Sequence, residues 1–73
     1  MKTLKDVKAG KTAVIKKLHA EGALKYRIMD IGMNEGAQVL VKKSAPLGDP
    51  VRVKVRDNDI FIRKSDMKKI EVE

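Results

Sequence analysis

Residues 26–36 read Tyr-Arg-Ile-Met-Asp-Ile-Gly-Met-Asn-Glu-Gly, and the apolar positions in and just before this stretch recur at helical spacing. Leu24, Ile28 and Ile31 share one helical face, so the spacing predicts a short helix. Gly32 ends the pattern, because glycine adopts at little cost the left-handed conformation that closes a helix. Such a short helix is not stable alone, so we expect its apolar face to lie against a sheet.

The segments on both sides of this helix alternate between apolar and polar residues, which is the period-two pattern of β-strands. The strongest signal is 51–56, where valines alternate with Arg52, Lys54 and Arg56. We therefore predict that the valines face the core and the basic side chains face solvent. The full set of predicted elements is strands at 12–19, 37–43, 51–56, 60–63 and 70–72, a turn at 57–59, a helix within 20–32 that is regular from Ala23, and one helical turn at 66–69 capped by Ser65.

Five short strands with one helix inserted after the first predict a mainly β fold, a small and strongly bent five-stranded barrel. Closure into a barrel removes the exposed sheet edges that would otherwise promote aggregation. An open two-layer α+β arrangement is the alternative, but one helix covers little of a sheet. The side chains predicted to form one core are Val14, Leu24, Ile28, Ile31, Val39, Val41, Val53, Val55, Ile60 and Ile62.

Length and composition limit the kind of protein. The 73 residues are expected to form a single domain, 1–73, with a thin core and modest stability. The chain has no cysteine, so neither disulfides nor a cysteine-ligated zinc site can stabilise it. The polar N-terminus lacks the apolar segment of a signal peptide, and we expect a cytoplasmic protein.

The charge is strongly basic and unevenly distributed. Seventeen Lys and Arg against ten Asp and Glu give a net charge of +7, concentrated in 1–19 and 37–56. A basic surface suits an acidic protein, an anionic membrane or nucleic acid, although it also fits a solvated face that keeps a small protein in solution. Nucleic-acid binding is the rival class, but stacking on bases favours aromatic residues, and the chain has only Tyr26 and Phe61.

The sequence gives little support for catalysis or for a metal site. It has no cysteine nucleophile, no glycine-rich phosphate-binding loop and only one imidazole, at His19. His19 with Glu21 is the best nucleus for a metal site, yet a well-held transition metal needs three or four ligands. We therefore predict a non-enzyme without a cofactor, catalytic residues or metal ligands, and an exposed histidine at a strand end.

The best candidate for a protein-binding site is the loop that joins the predicted strands 37–43 and 51–56. Residues 45–50 read Ala-Pro-Leu-Gly-Asp-Pro, and Leu47 stands between Pro46 and Gly48, where no strand can bury its side chain. Prolines stiffen the loop and lower the entropic cost of ordering it in a complex. The alternative is structural, with Leu47 folded back as a lid on the barrel and Asp49 closing the turn.

Four residues in and just after the predicted helix are also considered for such an interface. Arg27 and Asp30 are spaced to pair with each other on the helix. Met29 is expected to pack in the core, and Met33 is expected to be more open.

Two motifs together resemble the FeoA family. They are Arg-Ile-Met-Asp-Ile-Gly-Met at 27–33, followed by Gly36, and Ala-Pro-Leu-Gly-Asp-Pro-Val at 45–51, and the similarity extends from about Leu4 to Val72. The sequence departs from the usual pattern at Glu35, where proline is common, and at Asp57 and Asn58, where a glycine-containing turn is common. Both are turn positions, so the predicted fold is unchanged.

The resemblance implies an SH3-like barrel with an inserted helix, and a cytoplasmic accessory role in bacterial ferrous iron uptake beside FeoB, the membrane GTPase transporter. It also implies a family-level link to transition metals. The alternatives are a small-barrel nucleic-acid-binding module, or a free-standing copy of the SH3-like domain of metal-dependent repressors. The residues predicted to contact the partner are Met33, Pro46, Leu47, Gly48, Asp49, Arg52 and Lys54, with Lys42 and Arg56 on the same basic face.

Overall fold

The computed structural model describes residues 1–44 and 46–73, which form one antiparallel sheet around one core. The elements in chain order are a 3₁₀ turn Leu4–Asp6, β1 Thr12–Leu18, α1 Gly22–Asp30, β2 Gln38–Ser44, β3 Val51–Val55, β4 Asn58–Ile62, α2 Lys64–Met67 and β5 Ile70–Val72. The strand order is β4-β3-β2-β1-β5, and all neighbours are antiparallel. The fold is mainly β with short helices, as predicted. None of the helices in the described part of the chain is long and apolar enough to cross a bilayer.

The alternation in β3 decides which side of the sheet faces the core. Val51, Val53 and Val55 are buried, while the residues between them are exposed. Val53 lies between Val41 on β2 and Ile60 on β4, so the inward faces of three strands meet. The predicted core members Ile28, Val39, Val41, Val53, Val55 and Ile62 are buried, and Leu24, Ile31 and Ile60 are half-buried against them.

The prediction for β1 was wrong in phase. Ala13 and Ile15 are buried, whereas Val14 is only half-buried. The register with β5 shifts between Ile15 and Lys17, so Leu18 returns to the core after an irregularity that alternation alone does not reveal. An extra residue in one strand reverses the faces of all that follow.

Two turns also differ from the prediction. The β3–β4 turn consists of two residues, Arg56 and Asp57, rather than 57–59, because Val55 pairs with Asn58. Arg56 therefore leaves the strand and adopts a left-handed φ of 57°. The short helix begins at Lys64 rather than Asp66, and Ser65 lies inside it instead of capping it.

The end of α1 explains why Met33 is buried. Gly32 has a φ of 94° and its N–H donates to the Met29 carbonyl, while the Met33 N–H donates to the Ile28 carbonyl. This bonding closes a helix in a Schellman motif, in which the residue after the glycine turns back to contact the helix. Met33 and Ile28 are both buried in the core.

Candidate protein-binding surface

The loop before β3 presents one fully exposed apolar side chain. Leu47 is 96% exposed, so it is not the lid on the barrel that the sequence left open as an alternative. Pro46 beside it is exposed, and Gly48 follows with a φ of 89°, a conformation that favours glycine. Ala45, which belongs to the predicted loop, lies outside the described residues.

Asp49 anchors this loop to the rest of the protein. Its Oδ1 accepts a hydrogen bond of 2.9 Å from the backbone N–H of Lys64, the first residue of α2. The first N–H groups of a helix have no partner inside the helix, so a carboxylate here caps α2 from a distance in sequence. Asp49 thus has a structural role, but it caps α2 rather than closing its own turn, and the exposed side chain of Leu47 projects from an anchored loop.

The outer face of β3 carries the basic residues that were predicted to be exposed. Arg52 and Lys54 point away from the core, and neither forms an ion pair within the described chain. Lys42 on β2 differs, because its Nζ lies 2.9 Å from Oδ1 of Asp59 on β4. The hydrogen bond from Lys42 lowers the pKa of Asp59. Of the predicted basic face, Arg52 and Lys54 lie on β3, Arg56 lies in the turn after it and lines a hollow with Lys54, and the charge of Lys42 is locally neutralised.

Phe61 is the surface residue that the sequence-based site omitted. It lies directly opposite Arg52 in the β3–β4 pairing and is 65% exposed. Together with Leu40 and Lys43 these residues line a shallow hollow of about 620 Å³. The signal was present in the sequence, because burial of Ile62 with the β3 valines forces its neighbour Phe61 to the opposite side.

The two methionines exchange the roles predicted for them. Met33 has no exposed surface, because the closure of α1 at Gly32 turns its side chain into the core. It therefore cannot contribute to a docking surface. Met29 is 39% exposed instead of packing in the core. Met33 is thereby excluded from the predicted partner contacts, whereas Pro46, Leu47, Asp49, Arg52 and Lys54 are exposed and Gly48 is half-buried.

The predicted charge pairs also differ from those in the structure. Arg27 pairs with Asp66 of α2, at 3.4 Å, rather than with Asp30. His19 Nε2 lies 2.7 Å from Oε1 of Glu71 on β5, and Glu21 is not its partner. Within residues 1–44 and 46–73, no three His, Cys, Asp or Glu side chains converge as a metal site would require.

A family model and a relative of known description are similar to this chain. The FeoA domain model matches residues 2–73. A Porphyromonas gingivalis protein described as an Fe(2+) transport protein A/Fe(2+) transporter FeoB fusion is 36% identical over 70 residues, which are 96% of this chain. The chain spans only 8% of the length of that relative.

Two solved structures are also similar. Iron(II) transport protein A from Clostridium thermocellum has a TM-score of 0.91 and 34% identity, covering 97% of this chain and 44% of that one. A zinc complex of Stenotrophomonas maltophilia FeoA, described as a procaryotic SH3 domain protein, has a TM-score of 0.81 and 27% identity, covering 100% of this chain and 91% of that one. The SH3-like fold is confirmed, and the chain belongs to the FeoA family, which is linked to ferrous iron transport.

Proposed function

We propose that this chain is a non-enzymatic accessory protein that binds FeoB on its cytoplasmic side and modulates ferrous iron uptake. The relative that joins an FeoA part to an FeoB part in one polypeptide supports FeoB as the partner. The observation that carries the proposal is Leu47, which is 96% exposed on a loop that Asp49 ties to α2. An anchored loop loses little conformational freedom on binding, so a single apolar side chain contributes more of its contact energy.

Two cationic side chains would guide the encounter. Arg52 and Lys54 are exposed on the outer face of β3, and neither has an ion-pair partner among residues 1–44 and 46–73. Charges at the rim of an interface chiefly change the association rate and its salt dependence, whereas a buried apolar anchor chiefly changes dissociation. The surface is small, so the complex would be weak and transient.

Surface plasmon resonance with FeoB held in lipid nanodiscs tests this division of roles. Leu47→Ala is expected to weaken binding about tenfold, mostly through faster dissociation, with an unchanged melting temperature. Charge reversal at Arg52 and Lys54 is expected to slow association and to flatten its salt dependence. Lys25→Glu on the exposed side of α1 is the matched control for each single reversal, because it changes the net charge by the same amount outside the proposed surface. Binding of Leu47→Ala at the parental affinity would place the contact elsewhere.

Nucleic-acid binding is the second candidate, and Phe61 beside Arg52 is the observation that favours it. An exposed aromatic ring next to unpaired cations on a sheet is the arrangement that stacks bases and contacts phosphates. The experimental evidence for nucleic-acid binding would be an affinity for DNA or RNA that falls steeply as the salt concentration rises. If the chain shows that affinity and does not bind FeoB, this second function replaces the first.

A further inference from the structure

One edge strand of the sheet is covered by another segment of the chain, and the other is not. The β5 edge is covered by the N-terminal segment, since Thr3 bridges to Glu71 and the Val72 N–H donates to the Lys2 carbonyl at 2.9 Å. The opposite edge is β4, which pairs with β3 on one side and, in the described chain, with no strand on the other, so the closure expected to remove exposed edges is incomplete here. An uncovered edge presents backbone groups that can pair with another strand.

The register identifies which backbone groups are free. Val55 and Asn58 flank a two-residue turn and therefore form a hydrogen-bonded pair, and such pairs alternate along an antiparallel ladder. Asp59 and Phe61 consequently occupy non-hydrogen-bonded positions, and their N–H and C=O groups point away from β3. No loop or cap within the described residues donates to these groups or accepts from them.

An apolar groove runs beside this edge. Its floor and walls come from Ile28 of α1, from Ile31 directly after α1, and from Ile60 and Ile62 of β4, and its volume is about 380 Å³. Ile31 and Ile60 are only half-buried, so an occupant would remove apolar surface from water. We call this site, together with the outward backbone of β4, the β4 groove.

The ends of the β4 groove differ in charge. At one end Arg27 pairs with Asp66, which leaves the exposed Arg63 unpaired in the described chain. Beyond the other end, Asp30 and Arg56 line a neighbouring hollow that shares Ile31 and Ile60 with the groove.

On the outer face of β4, the carboxylate of Asp59 already binds Lys42. Phe61 and Arg63 therefore remain available on that face, and a strand added there would meet an aromatic ring and then a free cation.

We propose that the β4 groove binds an extended segment of a partner protein as an added strand. One face of the segment carries apolar side chains that fill the space between Ile31 and Ile60. The other face carries an acidic side chain beside Arg63, and its backbone pairs with Asp59 and Phe61. This surface lies outside the Leu47 loop, so the inference does not depend on FeoB as the partner.

A synthetic peptide in which valine and glutamate alternate is a suitable probe, added to the full ¹⁵N-labelled chain. The expected result is that the amide signals of Asp59 and Phe61 shift and that their hydrogen exchange slows. The matched control is the same peptide N-methylated at the residues that face β4, which keeps charge and side chains but removes the donors. The methylated peptide is expected to bind about tenfold more weakly, because two backbone hydrogen bonds are lost.

Variants separate the charge contribution from the backbone pairing. Arg63→Glu is expected to weaken the unmodified peptide several-fold, whereas Lys8→Glu, which changes charge in the turn before β1, is expected to leave binding unchanged. Equal binding of both peptides, or shifts confined to Arg52 and Lys54, would overturn the proposal. The proposal would also be overturned if the Asp59 and Phe61 amides of the free protein exchanged more slowly at higher protein concentration. That dependence would mean that a second copy of the chain occupies the β4 edge.

Discussion

Val53 has no exposed surface and is flanked by Val41 and Ile60 on the neighbouring strands. A carboxylate there would be desolvated without a partner, so Val53→Asp is expected to destabilise the fold by about 4 kcal/mol or more. A domain of this size has little stability to spare, and the variant should be unfolded by circular dichroism. Arg52→Asp, one residue away on the exposed face and opposite the uncharged Phe61, is the control and should melt near the parental temperature. A cooperative parental melt for Val53→Asp would show that the register is wrong.

Glu71 links β1 and β5 through side chains. Its carboxylate accepts a hydrogen bond from His19 and lies 3.6 Å from the Lys16 Nζ, and the His19 contact in particular holds the pKa of Glu71 below its ordinary value of 4.5. A lowered pKa in the folded state contributes stability that is present above the ordinary value and is lost as pH falls through the lowered one.

Removal of the Glu71 charge should therefore lower the stability of the fold only at pH values above the lowered pKa. Glu71→Gln is expected to melt at a lower temperature than the parent at about pH 6, with the difference shrinking as the pH falls toward about 3. Melting curves across this pH range measure the effect. A difference that is constant with pH would mean that the ionised carboxylate contributes nothing to folding.

The methionines show the limit of spacing arguments for single residues. Met29 lies at the margin of the helical stripe, so spacing could not decide between core and surface, and the structure leaves it 39% exposed. The burial of Met33 follows from the Schellman closure at Gly32, and the apolar residue directly after that glycine was its only sequence signal. For Leu47, its place between Pro46 and Gly48 left an exposed side chain and a lid on the barrel both open, and the structure shows it exposed.

At the scale of elements, one hydrogen bond couples the partner loop to α2. Loss of the Asp49 carboxylate in Asp49→Ala should lower the free energy of unfolding by about 1 kcal/mol, as for other helix caps. It should also speed hydrogen exchange at the Lys64 amide, which NMR can follow. Asp57→Ala, in the β3–β4 turn, is the control for loss of a surface carboxylate. Unchanged exchange at Lys64 in Asp49→Ala would mean that the loop is held by other contacts.

Elements with strict alternation were predictable and those with an irregularity were not. The Val51, Val53 and Val55 series could be assigned to the core from its pattern alone, and the structure agrees. The β1 phase could not, because the register shift after Ile15 leaves no mark in composition. The two-residue turn was missed because Arg56 adopts a left-handed conformation that a non-glycine residue seldom takes.

At the scale of the whole molecule, the contacts that position the surfaces join residues far apart in sequence. His19 and Glu71 are 52 residues apart, and Arg27 and Asp66 are 39 apart. The sequence suggested nearer partners for His19 and Arg27, because helical and local spacing is all that a single chain reveals. The Leu47 loop could be predicted as a candidate site, whereas the β4 groove required the strand order.

The central claim is that the Leu47 loop contacts FeoB, and photo-crosslinking in cells tests it most directly. A photo-reactive residue is placed at position 47, and in a matched variant at position 25 on α1, and both proteins are expressed with FeoB. Illumination is expected to give an adduct with FeoB from position 47 and none from position 25. No FeoB adduct from position 47, or equal adducts from both positions, would contradict the account.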